Sequence, residues 1–187
     1  MNPHIRVFSS RRSQGVTLIE ILIALAIIAV LMAIAVPSYR YITYSSRVAS
    51  EINSMTGSLQ FARAEAIKQG LPVTVCASTT GTSCSGSNSW STGWMVFSDA
   101  NGNATVDAGE NILRQQAAFL GGDTFVASNT LSAVTYNREG FVSGLPADPV
   151  TLTLTPPNTS DTRWTRCLAI GRIGRMTVQR SGEGACL

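Results

Sequence analysis

The chain has 187 residues, 44% of them hydrophobic and 13% charged, with a formal net charge of +3. That length fits one domain with an appendage, or a single elongated domain. The only histidine, His4, precedes Gly15, so a mature chain lacking that stretch has no histidine, which excludes Ser/His and Cys/His chemistry and removes the commonest metal ligand. An enzyme is not expected.

Charge is unevenly placed. Arg6, Arg11 and Arg12 all precede Gly15, and the remaining eleven basic residues balance eleven acidic ones. Residues 50–160 carry four basic side chains (Arg63, Lys68, Arg114, Arg138) against eight acidic ones, whereas residues 161–187 carry five arginines against Asp161 and Glu183. The pattern is a mildly acidic body with a basic C-terminal end.

The first element is apolar. Ile21 to Val36 contains sixteen residues without a polar side chain, and Val16 to Val36 is twenty-one residues long, enough to span a bilayer with Arg11 and Arg12 on the cytoplasmic side. A secretory signal is a competing reading, because Ala33-Ile34-Ala35 has the form of a cleavage site. Glu20 opposes both. A signal core does not open with a carboxylate, and a charge inside a spanning helix costs about 3 kcal/mol on insertion scales.

The stretch "GVTLIE" ahead of an apolar helix resembles the N-terminus of type IV pilins and type II secretion pseudopilins. In that family a prepilin peptidase cuts after the glycine, here Gly15, and methylates the new amine, here on Val16. Glu20 falls at the family's glutamate position and Pro37 at its proline position. Val16 departs from the phenylalanine or methionine usual there. The resemblance implies that Glu20 pairs with the terminal amine of a neighbouring subunit, cancelling two charges that would each be costly unpaired in an apolar core. A Glu20 that only reaches toward the membrane interface is the bland alternative.

Helical periodicity continues from Thr17 to Gln69. Val48, Ile52, Met55, Leu59, Ala62 and Ala66 recur every three or four residues, which predicts a buried stripe. Pro37 should kink this helix without ending it, and Gly70 followed by Leu71-Pro72 should stop it. Short β-like runs follow, predicted at Val73–Ala77, Trp94–Ser98, Ile112–Ala117, Ala133–Asn137, Val150–Leu154, Arg166–Ile170 and Met176–Gln179. The Ser/Thr/Gly run from Ser78 to Thr92 and Pro156-Pro157-Asn158 read as loops. The expected fold class is α+β: a long N-terminal helix, transmembrane in its first half, packed on an antiparallel head. The expected division is a leader at 1–15, a membrane or filament-core helix at 16–37, an amphipathic continuation at 38–70 and a head at 71–187.

Cys76, Cys84, Cys167 and Cys186 form an even set that fits no zinc spacing. Behind a membrane-targeting N-terminus they read as disulfides. Three connectivities exist, and the local pairs Cys76–Cys84 and Cys167–Cys186 are favoured.

"DANGNATVDAGE" sets Asp99, Asn101, Asn103, Thr105, Asp107 and Glu110 at the first, third, fifth, seventh, ninth and twelfth loop positions, the oxygen-ligand spacing of an EF-hand calcium loop. Ala104 stands where that loop needs glycine, and a plain Asx-rich turn competes. Trp90 and Trp94 read as core or rim aromatics. Arg163, Arg166, Arg172, Arg175 and Arg180 crowd the C-terminal region, and "GRIGR" puts Arg172 and Arg175 beside glycines that permit close approach to a phosphate backbone.

The segments "SLQFARAEAIKQGLPVTVC", "GWMVFSDANGNATVDAGENILRQ", "VTYNREGFVSG" and "CLAIGRIGRMTV" look like the GspH/FimT minor pilins over nearly the whole mature chain. That resemblance implies a subunit that primes pilus assembly among other minor and major pilins. It would cross the inner membrane once, with its head in the periplasm, and later sit at the pilus tip. In some members it implies a receptor for double-stranded DNA without sequence preference, through a Gly-Arg-x-Arg motif. Here Gly171-Arg172 and Gly174-Arg175 match that motif only in part, and a solvated or interface role for the arginines competes. A type II secretion pseudopilin is the alternative assignment.

Overall fold

The computed structural model describes residues 15–157 and 161–186; all of the expected leader but Gly15, together with Asn158, lies outside them. The chain divides into two compact units between Ile42 and Thr43. One helix, α1 (Leu18–Gln69), contributes to both and passes through Pro37 without interruption. In the first unit every described side chain from Val16 to Val36 is exposed. Mean hydropathy there reaches 3.0 over eighteen residues, long and apolar enough to cross a membrane.

In the second unit the predicted stripe is the core. Val48, Ile52, Met55, Leu59, Ala62 and Ala66 are each at most 3% exposed. The helix ends where the backbone turns left-handed at Gly70 (φ +69), whose N–H bonds Ala66 O at 3.0 Å, a stop only glycine makes without steric cost.

Among the described residues nine strands follow: β1 (Val73–Ala77), β2 (Gly93–Ser98), β3 (Ile112–Ala117), β4 (Thr124–Ala127), β5 (Ala133–Tyr136), β6 (Val142–Ser143), β7 (Val150–Thr155), β8 (Arg166–Ile170) and β9 (Met176–Arg180). They form two antiparallel sheets, β3-β2-β1-β5-β6 and β4-β7-β8-β9. The fold is α+β as expected, but β4 and β6 had no sequence prediction. Each is short, and β4 shows only the alternation of Phe125 and Ala127 inward, Thr124 and Val126 outward.

The main core joins the helical stripe to one face of each sheet, including Val75, Trp90, Trp94, Leu152, Leu154 and Leu168. Strand β1 is buried at all five residues, because a second cluster of Cys76, Met95 and Phe97 covers the far face of its sheet. Polar contacts seat the helix. Ser54 Oγ donates to Gln116 Oε1 on β3 at 2.9 Å. Arg63 donates to the carbonyls of Gly174 (3.2 Å) and Ile173 (3.3 Å) in the β8–β9 turn. Gly174 has φ +75, and a Cβ there would lie 2.7 Å from Gly140 O and 3.0 Å from Arg63 Cζ, so this turn needs glycine to admit the guanidinium.

Leu59 is fully buried at the centre of the stripe. Leu59→Ala should cost about 2–5 kcal/mol, read as a lower urea midpoint in tryptophan fluorescence. Gln60→Ala, on the exposed face, should leave that midpoint within about 0.5 kcal/mol.

Candidate functional site

The N-terminal end of α1 is built from local sequence. Glu20 N–H donates to Thr17 Oγ1 at 3.3 Å, and Thr17 N–H faces Glu20 Oε2 at 3.5 Å. This is the reciprocal Thr-x-x-Glu capping box, which satisfies two of the donors a helix start leaves open. Glu20 thus has a place within its own chain, for which the Thr-x-x-Glu spacing is the one sign in the sequence. Its bonds are long and exposed, so the carboxylate remains available to another cation.

The cysteines form two disulfides, Cys76–Cys84 and Cys167–Cys186, with Cα separations of 5.6 and 5.4 Å. The first closes the Ser-rich loop over the second core cluster, where Cys84 packs beside Cys76 and Phe97. The second ties the C-terminal tail to β8.

The candidate calcium loop is closed on itself. Asp99 is fully buried; its Oδ2 accepts from Thr74 Oγ1 (2.6 Å) and Ala104 N–H (2.9 Å), its Oδ1 from Asn103 N–H (3.0 Å). Asn101 and Asn103 both donate to Asp107 Oδ2 at 2.8 and 2.9 Å. Glu110 accepts from Ala100 N–H and Asp107 N–H, each at 2.9 Å. Thr105 N–H bonds Asn103 Oδ1 at 2.7 Å. Among the described residues, no group of three or more acidic, histidine or cysteine side chains converges on a metal position. Ala104 takes the left-handed conformation (φ +59) that glycine usually supplies, and Val106 packs on the second core. The loop thus bonds to itself and to β1, and lies on the outer face of the first sheet.

The five C-terminal arginines do not form one patch. Strands β8 and β9 make a hairpin in which Arg166 sits opposite Arg180, while Ile170 sits opposite Met176 at the other end. Arg172 and Arg175 occupy the exposed turn beyond Ile170; Arg163, Arg166 and Arg180 lie at the far end. Arg163 is paired with Asp161, whose carboxyl is held below its usual range by that guanidinium. Arg166 donates to the carbonyls of Arg163 (2.8 Å) and Thr165 (2.9 Å). Arg172 and Arg175 form no ion pair among the described residues, although Arg172 N–H bonds Asp148 Oδ1 at 3.2 Å. The strand separates what the sequence placed together.

One charged cluster escaped the sequence analysis. Arg47 and Glu51 face Asp123 from one turn of α1, and both carboxylates are buried (Glu51 9% exposed, Asp123 4%). Arg47 Nη2 donates to Asp123 Oδ1 at 2.9 Å, and Nε lies 2.7 Å from Oδ2. The second contact is an ionic approach that lacks hydrogen-bond alignment, since both atoms are otherwise unpartnered. Burial, then the Asp123 charge and a shared hydrogen bond, raise the Glu51 carboxyl to about 7 against the partial relief of Arg47. Only the i,i+4 spacing of Arg47 and Glu51 was legible beforehand; Asp123 arrives from the β3–β4 connection.

A membrane-anchoring apolar helix whose second half packs under an antiparallel head defines a pilin-class structural subunit. Residues 51–174 match the family described as type II transport protein GspH, and residues 10–36 match the prokaryotic N-terminal methylation motif. The chain belongs to the GspH family: it is a minor pilin or pseudopilin of the type IV pilus or type II secretion class and not an enzyme. The fold is similar to the type IV minor pilin FimU of Pseudomonas aeruginosa in two crystal forms. One gives 20% identity over 78% of this chain and 95% of FimU with TM-score 0.55, the other 22% over 73% and 93% with TM-score 0.51. It is also similar to the minor pseudopilin EpsH of the Vibrio cholerae type 2 secretion system, 14% identical over 73% of this chain and 99% of EpsH, TM-score 0.50. No curated protein matches the chain.

The Glu51 cluster sets a pH dependence. The carboxyl's ordinary value is 4.5 and its value in the fold about 7, so the fold holds this proton more tightly than the unfolded chain does. Its contribution is complete below pH 4.5 and is lost as pH rises through 7. Glu51→Gln should remove that loss, on the order of 2 kcal/mol between pH 5 and 7.5, and flatten the melting temperature across that window.

Proposed function

We propose that the chain is a minor pilin of a type IV pilus, cut after Gly15 and N-methylated on Val16, and that Glu20 guides its entry into the filament. The observation that carries this reading is a single carboxylate on the first turn of α1, in a stretch from Leu18 to Val36 that is otherwise apolar and exposed throughout, at the fifth position after the proposed cut. The cut leaves a cationic amine on Val16, and methylation retains its charge. Glu20 already faces the helix start through Thr17. Exchanging that long, exposed contact for the amine of a neighbouring subunit replaces a weak hydrogen bond with an ion pair, worth more in an apolar surround than in water. The pair sets the register at which one helix leaves the membrane beside another. The head then stands in the periplasm and later near the pilus tip, where it contacts other minor pilins and helps prime assembly.

The type II secretion pseudopilin is the second reading, favoured by the family description matched over residues 51–174. Deletion separates the two: loss of surface pili with secretion intact supports the first, and the converse supports the second. Under either, the mature protein should begin at methylated Val16 in intact-mass analysis, and Glu20→Ala should lower its recovery in sheared filaments by about tenfold or more. Equal recovery of the variant would remove the proposed role of Glu20.

DNA binding is supported at the β8–β9 turn alone, since Arg172 and Arg175 are exposed and form no ion pair among the described residues. Two phosphate contacts would make duplex affinity fall with salt at a log–log slope of about −2. Arg172→Gln with Arg175→Gln should abolish the electrophoretic shift while leaving piliation unchanged. If piliation fails and DNA binding persists, those arginines serve assembly.

A further inference from the structure

The sheet containing β8 ends at β9, and the edge of β9 is open. Gly171 N–H bonds Arg175 O at 2.9 Å, and opposite residues in an antiparallel pair alternate between bonded and unbonded. The register Ala169 with Thr177 and Cys167 with Gln179 therefore holds the inward bonds, and Met176, Val178 and Arg180 aim their backbone groups outward. Of these three, Arg180 is engaged: its N–H bonds Glu183 Oε2 and its O accepts Glu183 N–H, both at 2.9 Å. Met176 and Val178 are left open among the described residues. The C-terminal tail does not cover them, because the Cys167–Cys186 disulfide pulls it onto the other face of the sheet; Cys167 alternates with the helix-facing Leu168.

The helix overhangs this edge. Two clefts lie end to end along the seam between α1 and β9. One, of about 230 Å³, runs beside Val48, Ala49, Ile52 and Val178; the next, of about 400 Å³, runs beside Gln60, Ala64 and Met176. Ser45, Ala49, Asn53, Gln60, Ala64 and Ile67 recur at helical spacing and are exposed. They form a flank of α1 with no strand beneath it, and Val178 is 50% exposed on the floor. Arginines mark both ends, Arg166 in the first cleft with Arg180 beside it across the hairpin, Arg63 and Arg175 in the second, and no acidic side chain lines either.

We infer that this seam accepts one extended strand of another protein, apolar at alternate positions and acidic at both ends, which adds to the edge of β9. Its backbone pairs with the N–H and C=O of Met176 and Val178, as strand addition does elsewhere. Its inward side chains fill the clefts between Val178 and the helix flank, and its acidic ends meet the arginines. This inference goes beyond the filament role and does not depend on it.

The test uses the full chain in detergent micelles and a heptapeptide probe of alternating valine and threonine ending in glutamate at both termini. The probe should slow hydrogen exchange at the Met176 and Val178 amides, and a lysine-ended version should bind about tenfold more weakly or worse. Val178→Pro removes the outward donor but none of the bonds to β8, a substitution edge strands tolerate; it should lose probe binding with its melting temperature retained. Arg180→Glu should reverse the preference between the two probes, which tests the idea even if the proline variant unfolds. Unchanged binding to a folded Val178→Pro, equal affinity for both probes, or protection that grows with the chain's own concentration in the absence of probe would each overturn the inference.

Discussion

The structure depends on one apolar stripe. The two sheets share few backbone bonds, chiefly Val142 N–H to Arg172 O, Ala127 N–H to Asn88 O and the Ser89–Val126 bridge. What makes them one core is the face of α1 from Val48 to Ala66, which both sheets cover. Val48, Ile52, Met55, Leu59, Ala62 and Ala66 all lie in this core. Burial of this kind is non-directional, so orientation has to come from polar contacts at its margins.

Those contacts are few and specific. Arg47 meets Asp123 on one side, Ser54 meets Gln116, and Arg63 reaches the carbonyls of the β8–β9 turn. A buried ion pair is weak evidence of stability, since desolvation offsets much of the Coulomb gain. The Arg47–Glu51–Asp123 cluster is better understood as fixing how the β3–β4 connection meets the helix. Arg63 has the same effect on the turn that carries Arg172 and Arg175: its guanidinium fixes the carbonyls while the turn's own arginines stay exposed.

The two units make opposite demands on one helix. Up to Val36 the side chains are apolar all round, as suits lipid or neighbouring helices. From Val48 onward a buried stripe alternates with charged and polar positions. Glu20 is the exception in the first segment, and its capping box shows how a carboxylate can be held there in a lone subunit. Each disulfide ties a buried strand cysteine to a loop or tail, Cys76 to Cys84 and Cys167 to Cys186.

Much of this was legible in the residues themselves. The helix from Thr17 to Gln69, its six buried positions, its stop at Gly70, seven of the nine strands and the membrane-anchoring N-terminus all follow from periodicity and local punctuation, which act over a few residues. Strands β4 and β6 did not, because four- and two-residue strands carry too little alternation to stand out and are defined by what they pair with. The same limit applies to the sites. Sequence proximity suggested one arginine patch, which a five-residue strand divides, and a ligand-like loop, in which the Asn103 and Ala104 N–H groups and the Thr74 hydroxyl bond the Asp99 carboxylate. The amino-acid sequence by itself determined which segments are helical, apolar or cross-linkable, since those properties are local. The tertiary structure alone decided which carboxylates are already bonded, that Asp123 meets Glu51, and that β9 keeps an open edge, because each depends on partners brought from far along the chain.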